Sequence, residues 1–206
     1  GSHDATGVRH GRALRIPMNE TNGKARIALH GVIPRTTTNG PGTRFGIWVQ
    51  GCSRRCPGCF NPKMLPVLPE DADDFRAPDT PGWIDIEKLA GEILTEHKRE
   101  PIDGISVSGG EPFDQAASLL KLVKLIRTSG LSVLIFTGYT FDELMEKEDT
   151  IIFFEPASSV DVLIDGPFDR SRPVEGELRG SANQNIRLLT YRYSGKDLVP
   201  PGPFEC

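Results

Sequence analysis

The sequence lacks several features by which large classes of protein are recognised. No apolar run approaches the roughly 20 residues of a membrane-spanning helix, and no signal-peptide pattern is present. Its 24 Lys and Arg and 28 Asp and Glu residues are scattered and give a net charge of −4, so neither a nucleic-acid nor a membrane surface is indicated. We therefore expect a cytoplasmic protein that binds neither nucleic acid nor a membrane.

Cysteine is also scarce, and its distribution argues against a disulfide-stapled fold. The chain has four cysteines, of which Cys52, Cys56 and Cys59 lie within eight residues and Cys206 is the last residue. Three cysteines on so short a segment are odd in number, and a secreted scaffold of this size would carry more of them. Free thiols suit a reducing compartment, and we interpret Cys206 as an incidental thiol.

The three clustered cysteines lie on residues 50–62, which read QGCSRRCPGCFNP. Because glycines and prolines break regular structure, the thiols are expected on one tight loop. A structural zinc site usually closes four ligands with two cysteine pairs, and the sequence has no second pair. A cubane iron–sulfur cluster takes four thiolates, and this loop offers three, which would leave one iron open to a substrate or cofactor. Three unrelated buried cysteines, or a non-catalytic iron–sulfur or zinc module, are the alternatives.

The spacing of apolar residues predicts an α/β fold. With 206 residues the chain is long enough for one substantial domain. Short apolar or alternating runs predict an edge strand at 24–33 and further strands at 45–49, 104–108, 131–136, 160–164 and 186–191. Amphipathic spacing predicts helices at 85–99, 116–129 and 141–147. This alternation predicts an incomplete parallel β/α barrel of about five or six strands, open on one side.

The remaining segments show little periodicity. Residues 1–22 are predicted to be a disordered extension, whose first three residues, GSH, are interpreted as an expression remnant. Residues 23–195 are predicted to form a single domain that includes a surface excursion at 63–83. Residues 196–206 are predicted to form a tail.

Polar and glycine-rich turns follow the predicted strands, at the edge where α/β sheets carry their chemistry. Gly109 and Gly110 end one strand, and because they lack side chains they let main-chain groups approach a ligand. Tyr139 follows the next strand and is either a core aromatic residue or a ligand contact. Asp165 ends the strand after that and is either a solvated turn residue or a partner for a ribose hydroxyl, a sulfonium or a cation.

Several motifs together resemble a known family. The spacing C-x3-C-x2-C, followed by GGEP at 109–112, resembles the radical S-adenosylmethionine (SAM) superfamily. GPGTR at 40–44, CPGCFNP at 56–62 and RGSANQ at 179–184 resemble the activating enzymes of glycyl radical proteins, among them those of anaerobic ribonucleotide reductase. The resemblance covers roughly residues 38–190, and the motifs stand at predicted strand ends in the family's order.

The resemblance implies a radical SAM enzyme. Cys52, Cys56 and Cys59 would hold a 4Fe-4S cluster whose open iron binds SAM, and one electron would split SAM into methionine and a 5′-deoxyadenosyl radical. The radical would abstract hydrogen from a glycine of a partner such as anaerobic ribonucleotide reductase, with a flavodoxin- or ferredoxin-like electron donor. The alternative is a free-standing radical SAM enzyme that modifies a peptide or small metabolite, for example of the carboxy-deazaguanine synthase type.

The resemblance also implies which residues contact SAM, and it requires no catalytic side chain beyond the cluster and SAM. Gly58 stands where many members of the superfamily have an aromatic residue, and Phe60 is predicted to cover part of the adenine instead. The predicted contact set is Gly58, Phe60, Gly109, Gly110, Glu111, Pro112, Thr137, Tyr139, Asp165, Arg179, Ser181 and Asn183.

Overall fold

The computed structural model describes residues 19–21, 24–155 and 160–198. Within these residues the chain forms one mixed sheet and four α-helices. The strands are β1 (Asn19–Thr21), β2 (Lys24–Thr36), β3 (Arg44–Val49), β4 (Gly82–Asp85), β5 (Gly104–Gly109), β6 (Ser132–Phe136), β7 (Val162–Asp165) and β8 (Asn185–Leu188). The helices are α1 (Ile86–Arg99), α2 (Ala116–Arg127), α3 (Phe141–Met145) and α4 (Glu148–Ile151).

Some of the predictions concern the two ends of the chain. Those for residues 1–18, for 22 and 23, and for the tail beyond 198, which includes Cys206, lie outside the described residues. Asn19–Thr21 pairs with β2, so a short strand stands where the sequence predicted disorder.

The sheet combines a parallel centre with antiparallel flanks. Its strand order is β1-β2-β3-β5-β6-β7-β8, with β4 paired to β2 outside this path. β3, β5, β6 and β7 run parallel, whereas the flanking strands join antiparallel. The predicted α/β alternation is confirmed, but the parallel part has four strands and not five or six. A short loop without a helix joins β2 to β3, and so short a connection favours antiparallel pairing.

β2 is an internal strand, which corrects the predicted edge strand at 24–33. Its first half pairs with β1 and β4 and its second half with β3, and Ile27 and Leu29 are fully buried. β4 comes from the end of the segment 63–83, so this excursion also contributes to the sheet and brings Trp83 into the interior. The alternating pattern identified the strand, but it contained no information about the neighbours of that strand.

The helices form where the amphipathic spacing predicts them. Asp85 caps α1 by accepting a hydrogen bond from the main-chain N of Lys88 at 3.1 Å. The apolar faces of α1 and α2 pack against each other and against the sheet. α3 begins with a capping box in which Thr140 and Glu143 exchange hydrogen bonds. The three predicted helices are confirmed, with ends that differ by a few residues.

The parallel strands bring four loops to one edge of the sheet. Because β3, β5, β6 and β7 point the same way, the cysteine loop (residues 50–62) and the turns after β5, β6 and β7 lie side by side. Over the described ranges, no helix is long and apolar enough to cross a membrane.

Candidate functional site

The cysteine loop is folded by its own main chain and by the segment that follows it. Gly51 adopts a φ of +97°, which favours glycine. The main-chain N of Gly51 donates to the Met64 carbonyl oxygen at 2.9 Å, and that of Cys52 to the Leu65 carbonyl oxygen at 3.2 Å. Cys59 N donates to the main-chain oxygen of Cys56 at 3.1 Å, which closes a turn around the second and third cysteines. The loop thus has a defined shape without any regular secondary structure.

All three cysteines of the loop line one cavity. They are free thiols, with Cys52 buried and Cys56 and Cys59 half-buried. The space inside the cavity and at its opening is about 660 Å³, a figure that includes open solvent. Its other walls come from the turns after β5, β6 and β7 and from the loop itself. The remaining lining residues are Arg54, Phe60, Asn61, Leu65, Ser108, Gly109, Gly110, Glu111, Phe136, Thr137, Gly138, Gly166, Phe168 and Gln184.

Gly109 and Gly110 allow two segments of the main chain to come into close contact beside the cavity. A Cβ atom added at Gly110 would lie 2.1 Å from the carbonyl oxygen of Gly51, and one at Gly109 would lie 2.5 Å from the main-chain N of Val49. Hydrogen bonds of 2.8 Å join Gly110 N to Val49 O and Glu111 N to Gly51 O. The glycines were predicted to let the backbone approach a ligand, and the structure adds that they let it approach the cysteine loop.

Glu111 joins the turn after β5 to the turn after β6. Its carboxylate is fully buried and accepts hydrogen bonds from Phe113 N at 3.0 Å, Thr137 Oγ1 at 2.8 Å and Gly138 N at 2.8 Å. Burial raises the pKa of Glu111 to about 7; the negative charge of Asp114 adds to this shift and the three hydrogen bonds oppose it. One side chain therefore fixes the relative position of two cavity walls.

Asp114 joins the turn after β5 to the cysteine loop. Its carboxylate accepts hydrogen bonds from Ser53 N at 2.6 Å, Ser53 Oγ at 2.8 Å and Tyr139 Oη at 2.9 Å. Burial raises the pKa of Asp114 above its ordinary value, against these hydrogen bonds. Two cations lie over the Tyr139 ring, Lys147 Nζ at 3.5 Å and the Arg54 guanidinium carbon at 4.7 Å from the ring centroid.

The environment of the first cysteine changes the acidity of its thiol. Burial raises the pKa of Cys52 to about 11, the charges of Glu111 and Asp114 act in the same direction, and the main-chain N–H groups of Arg54 and Arg55 oppose them. At neutral pH the group is therefore a protonated thiol in the protein alone, and a metal that binds there has to displace the proton.

The donor set fits an iron–sulfur cluster in its chemistry. Three free thiols share one cavity wall, and thiolates are the ligands that such clusters take. Asn61 N lies 3.4 Å from Cys59 Sγ, a main-chain donor of the kind that supports a cluster thiolate. As the side chains stand, no three His, Cys, Asp or Glu residues in the part of the chain described here form a group that could hold a single metal ion.

The predicted SAM contacts divide into two groups. The cavity is lined by five of them, Phe60, Gly109, Gly110, Glu111 and Thr137, together with the three cysteines. Phe60 is 65% exposed at the mouth, where its ring meets that of Phe168 edge to face at 5.0 Å.

Four of the other predicted contacts lie away from the cavity lining. Gly58 faces Arg170, whose Cδ atom would lie 2.7 Å from an added Cβ. Pro112 is buried in the first turn of a 3-10 helix. Tyr139 is a buried aromatic residue whose hydroxyl bonds to Asp114. Asp165 is fully buried and accepts hydrogen bonds from Arg187 Nε at 2.7 Å and from the first main-chain N of α3 at 3.1 Å, so it is neither a solvated turn residue nor a cavity group.

The RGSANQ motif forms a folded turn beside the cavity. Arg179 donates to main-chain oxygens of the same turn, at 3.2 and 3.3 Å. Ser181 Oγ accepts from the main-chain N of Asp169 at 3.0 Å, and Asn183 Nδ2 donates to the main chain after β7 at 2.7 Å. These three predicted contacts therefore shape the loop after β7, while Gln184, the last residue of the motif, lines the cavity.

Sequence reasoning missed several residues that build the site. Ser53 and Asp114 carried no motif of their own, although Ser53 adjoins a cysteine and Asp114 follows GGEP by two residues. Gln184 was inside the RGSANQ motif without an assigned role, Gly138 stands between the predicted contacts Thr137 and Tyr139, and Phe168 gave no signal. Proximity to a motif was thus the one available indication.

Comparisons with known proteins agree with the chemistry of the site. The sequence profile of the 4Fe-4S single cluster domain family matches residues 38–187. The anaerobic ribonucleoside-triphosphate reductase-activating protein of Vibrio cholerae serotype O1 is 31% identical, over 78% of this chain and 97% of its own length. That of Escherichia coli K12 is 32% identical over 78% and 97%, and that of Enterobacteria phage T4 is 26% identical over 75% and 90%.

Among solved structures, QueE from Escherichia coli is similar over 56% of this chain and 54% of its own. With a TM-score of 0.45 and 21% identity, this likeness carries no argument about function.

Proposed function

Since the chain belongs to the 4Fe-4S single cluster domain family and to the anaerobic ribonucleoside-triphosphate reductase-activating proteins, we propose that it generates a glycyl radical on a partner protein. It is a radical SAM oxidoreductase of the glycyl-radical-activating type, with a 4Fe-4S cluster and SAM as cofactors. The partner is a glycyl-radical protein, for which an anaerobic ribonucleotide reductase is the first candidate. The curated relatives described above do not favour the alternative of a free-standing enzyme acting on a peptide or small metabolite.

One observation carries this proposal. Three free thiols of one loop line the same cavity as the main chain of Gly109 and Gly110. Cys52, Cys56 and Cys59 would hold the cluster, and a set of three thiolates leaves room for SAM as the remaining ligand. When bound, the reduced cluster supplies the electron that splits SAM into methionine and a 5′-deoxyadenosyl radical.

The chain's own residues would orient SAM and limit the access of water. The main chain of Gly109 and Gly110 is open to the cavity, and we propose that it binds the methionine end of SAM. Glu111 and Thr137 would hold the neighbouring wall, while Phe60 and Phe168 would cover the adenine at the mouth. No acid–base pair is required, because the protein's contribution is to position the reactive carbon.

The remaining predicted contacts are proposed to act through the loops that they form. Gly58 and Pro112 belong to the cysteine loop and to the turn after β5, and Tyr139 braces both. Asp165 holds the end of β7. Arg179, Ser181 and Asn183 support the loop that presents Gln184 to the cavity.

The architecture suits a protein substrate. We propose that residues 23–195 act as one domain and that the open sheet is an incomplete barrel, whose unclosed side admits a loop of the partner. In the described part of the sheet, β1 and β8 are at opposite ends of the strand order. We further propose a flavodoxin- or ferredoxin-like electron donor, and residence in the cytoplasm, where free thiols stay reduced.

Electron paramagnetic resonance on the reconstituted protein tests this function. The protein is loaded with iron and sulfide under anaerobic conditions and mixed with SAM, a chemical reductant and a candidate reductase. We expect 5′-deoxyadenosine together with a glycyl radical signal that is absent when the reductase glycine is replaced by alanine. SAM cleavage without a radical on any such partner would favour the free-standing enzyme, and absence of SAM binding would leave a non-catalytic module.

A further inference from the structure

We propose that Asp114 is a positioning residue that, together with Gln115, grips the main chain on both sides of Cys52. Its buried carboxylate also keeps a negative charge next to the cysteine loop. The gripping role stands on the geometry of the protein alone, whereas the effect of the charge on a cluster rests on the proposed function.

The grip is formed by two consecutive side chains of the turn after β5. Asp114 accepts hydrogen bonds from the main-chain N and the hydroxyl of Ser53, at 2.6 and 2.8 Å. Gln115 Nε2 donates to the main-chain oxygen of Gln50 at 3.2 Å. Cys52 therefore lies between Gln50 and Ser53. Both of these residues are hydrogen-bonded to the segment 114–115.

That segment is itself firmly held. Asp114 and Gln115 are 7% and 4% exposed, and they lead directly into α2, which packs on α1 and on β2. Gln115 also bonds to β2 through Ala28, with its amide oxygen 2.7 Å from Ala28 N. Anchors of this kind restrict motion because they belong to the packed interior and not to the loop that they hold.

The hydrogen bonds at Asp114 also indicate that it is a carboxylate. Its three partners, Ser53 N, Ser53 Oγ and Tyr139 Oη, all donate to it, and a carboxylate is a pure acceptor. A negative charge buried beside a redox centre makes the addition of an electron harder, so it favours a strongly reducing cluster.

The grip is confined to the first cysteine. Cys56 and Cys59 lie beyond Ser53, where the turn between them is closed by a hydrogen bond within the loop, and both are half-buried. Loss of Asp114 is therefore expected to release Cys52 selectively.

Alkylation of the cluster-free protein tests the grip without any cofactor. Asp114→Ala leaves Ser53 N without its acceptor, and we expect Cys52 to be labelled by iodoacetamide about tenfold faster, with Cys56 and Cys59 little changed, as resolved by peptide mass spectrometry. Asp161→Ala is the matched control, because Asp161 is also a buried carboxylate that accepts from a main-chain N, that of Val133, but at the other end of the strands. Equal Cys52 rates in Asp114→Ala and the unchanged protein, or the same increase in Asp161→Ala, would overturn the proposal.

If Asp114→Ala does not fold, as judged by circular dichroism, Ser53→Ala carries the same test. It removes the hydroxyl's hydrogen bonds to Asp114 and Tyr139 and keeps the bond from Ser53 N to Asp114. A selective increase of about threefold at Cys52 is expected, and an unchanged rate would overturn the grip.

The charge is tested by the potential of the reconstituted cluster. Asp114→Asn keeps the shape of the side chain and removes its charge, and we expect the reduction equilibrium to shift about tenfold toward the reduced cluster, which is 59 mV for a one-electron couple. Asp161→Asn is expected to leave the potential unchanged, and the same potential in all three proteins would overturn the role of the charge. Failure to assemble any cluster in the unchanged protein would contradict the proposed function, while the labelling result would still decide the grip.

Discussion

The two ends of the parallel strands both bury charged side chains, but they use them differently. At the amino end, Arg44 is fully buried and donates to Ser106 Oγ at 2.6 Å and to Ser132 Oγ at 3.0 Å. Tyr193 Oη is hydrogen-bonded to Ser132 Oγ at 2.7 Å, which brings the end of the described chain against these buried residues. Burial lowers the pKa of Arg44, and interaction with Tyr193 opposes this shift.

At the carboxyl end the buried charges surround groups that are left free. Glu111 and Asp114 are satisfied by donors from neighbouring turns, just as Arg44 is satisfied by acceptors. The difference is that the cysteines beside them are free and line an open cavity. A buried charge thus marks a point where several segments are joined, and the free thiols mark the place where we propose that the cluster binds.

Removing a cysteine should affect chemistry alone, and this is the largest effect that we expect. Cys56→Ser takes away one of the three proposed cluster ligands, so reconstituted protein should lose both the visible absorption of the cluster and the formation of 5′-deoxyadenosine. Because Cys56 is half-buried, the free energy of unfolding of the cluster-free protein should change by less than about 0.5 kcal/mol. Cys206→Ser is the matched control and should keep both signals. Cluster loss in Cys206→Ser would make that thiol a fourth ligand.

Removing Arg44 should produce the opposite pattern. Arg44→Met deletes the charged donor to Ser106 Oγ, Ser132 Oγ and the main-chain oxygen of Ile105, so three buried oxygens lose a hydrogen bond. We expect a loss of about 4 kcal/mol in the free energy of unfolding, measured by urea titration of the cluster-free protein. At temperatures where the variant is folded, labelling of Cys52 should be as slow as before. Fast labelling would show that the two ends are coupled, and the contrast between them would then fail.

The fold was predictable to the extent that local patterns determine it. The strands and the three longer helices were found because apolar periodicity acts over a few neighbours. The pairing of β2 with β4 and the antiparallel flanks were not predictable, because they join residues that are distant in the sequence. No local property of Lys24–Thr36 states which strand will lie beside it.

The site was predictable where a motif carries chemistry. The cysteines, Gly109 and Gly110 all line the cavity. They could be predicted because metal-ligand residue types and residues without a side chain are both recognisable in the sequence. Asp165 looked like a functional acid from its place at a strand end, but its partner Arg187 comes from the neighbouring strand β8. A side chain's partner is a tertiary property, which is also why Asp114 was missed.

The pH dependence of stability should separate the two ends, since Glu111 titrates near neutrality and Arg44 does not. With a folded pKa of about 7 against an ordinary value of 4.5, Glu111 holds a proton in the folded state that the unfolded chain releases. Its contribution to stability is therefore present below the ordinary pKa and is lost as the pH rises to about 7. We expect the unchanged cluster-free protein to lose about 3 kcal/mol relative to Glu111→Gln over this window. Parallel curves for the two proteins in urea titrations at each pH would contradict the raised pKa.

The smallest expected effect is at Thr140. This residue lies at the carboxyl end of the parallel strands but should affect stability alone, as Arg44 does at the amino end. Thr140 Oγ1 accepts from Glu143 N at 3.2 Å, and the Glu143 carboxylate accepts from Thr140 N at 2.7 Å. Thr140→Ala should cost about 1 kcal/mol of unfolding free energy, and Thr140→Ser, which keeps the hydroxyl, should recover most of it.

SAM cleavage should remain near its original rate in Thr140→Ala, because the hydroxyl faces the start of α3 and not the cavity lining. Glu143 also pairs with Arg54 of the cysteine loop at 2.9 Å, so a loss of cleavage in Thr140→Ala that Thr140→Ser restores would show that the cap acts on the loop through this ion pair. In that case a helix cap at the carboxyl end of the strands would also affect SAM cleavage. Contact with the cysteine loop would then separate the residues that affect chemistry from those that affect stability alone.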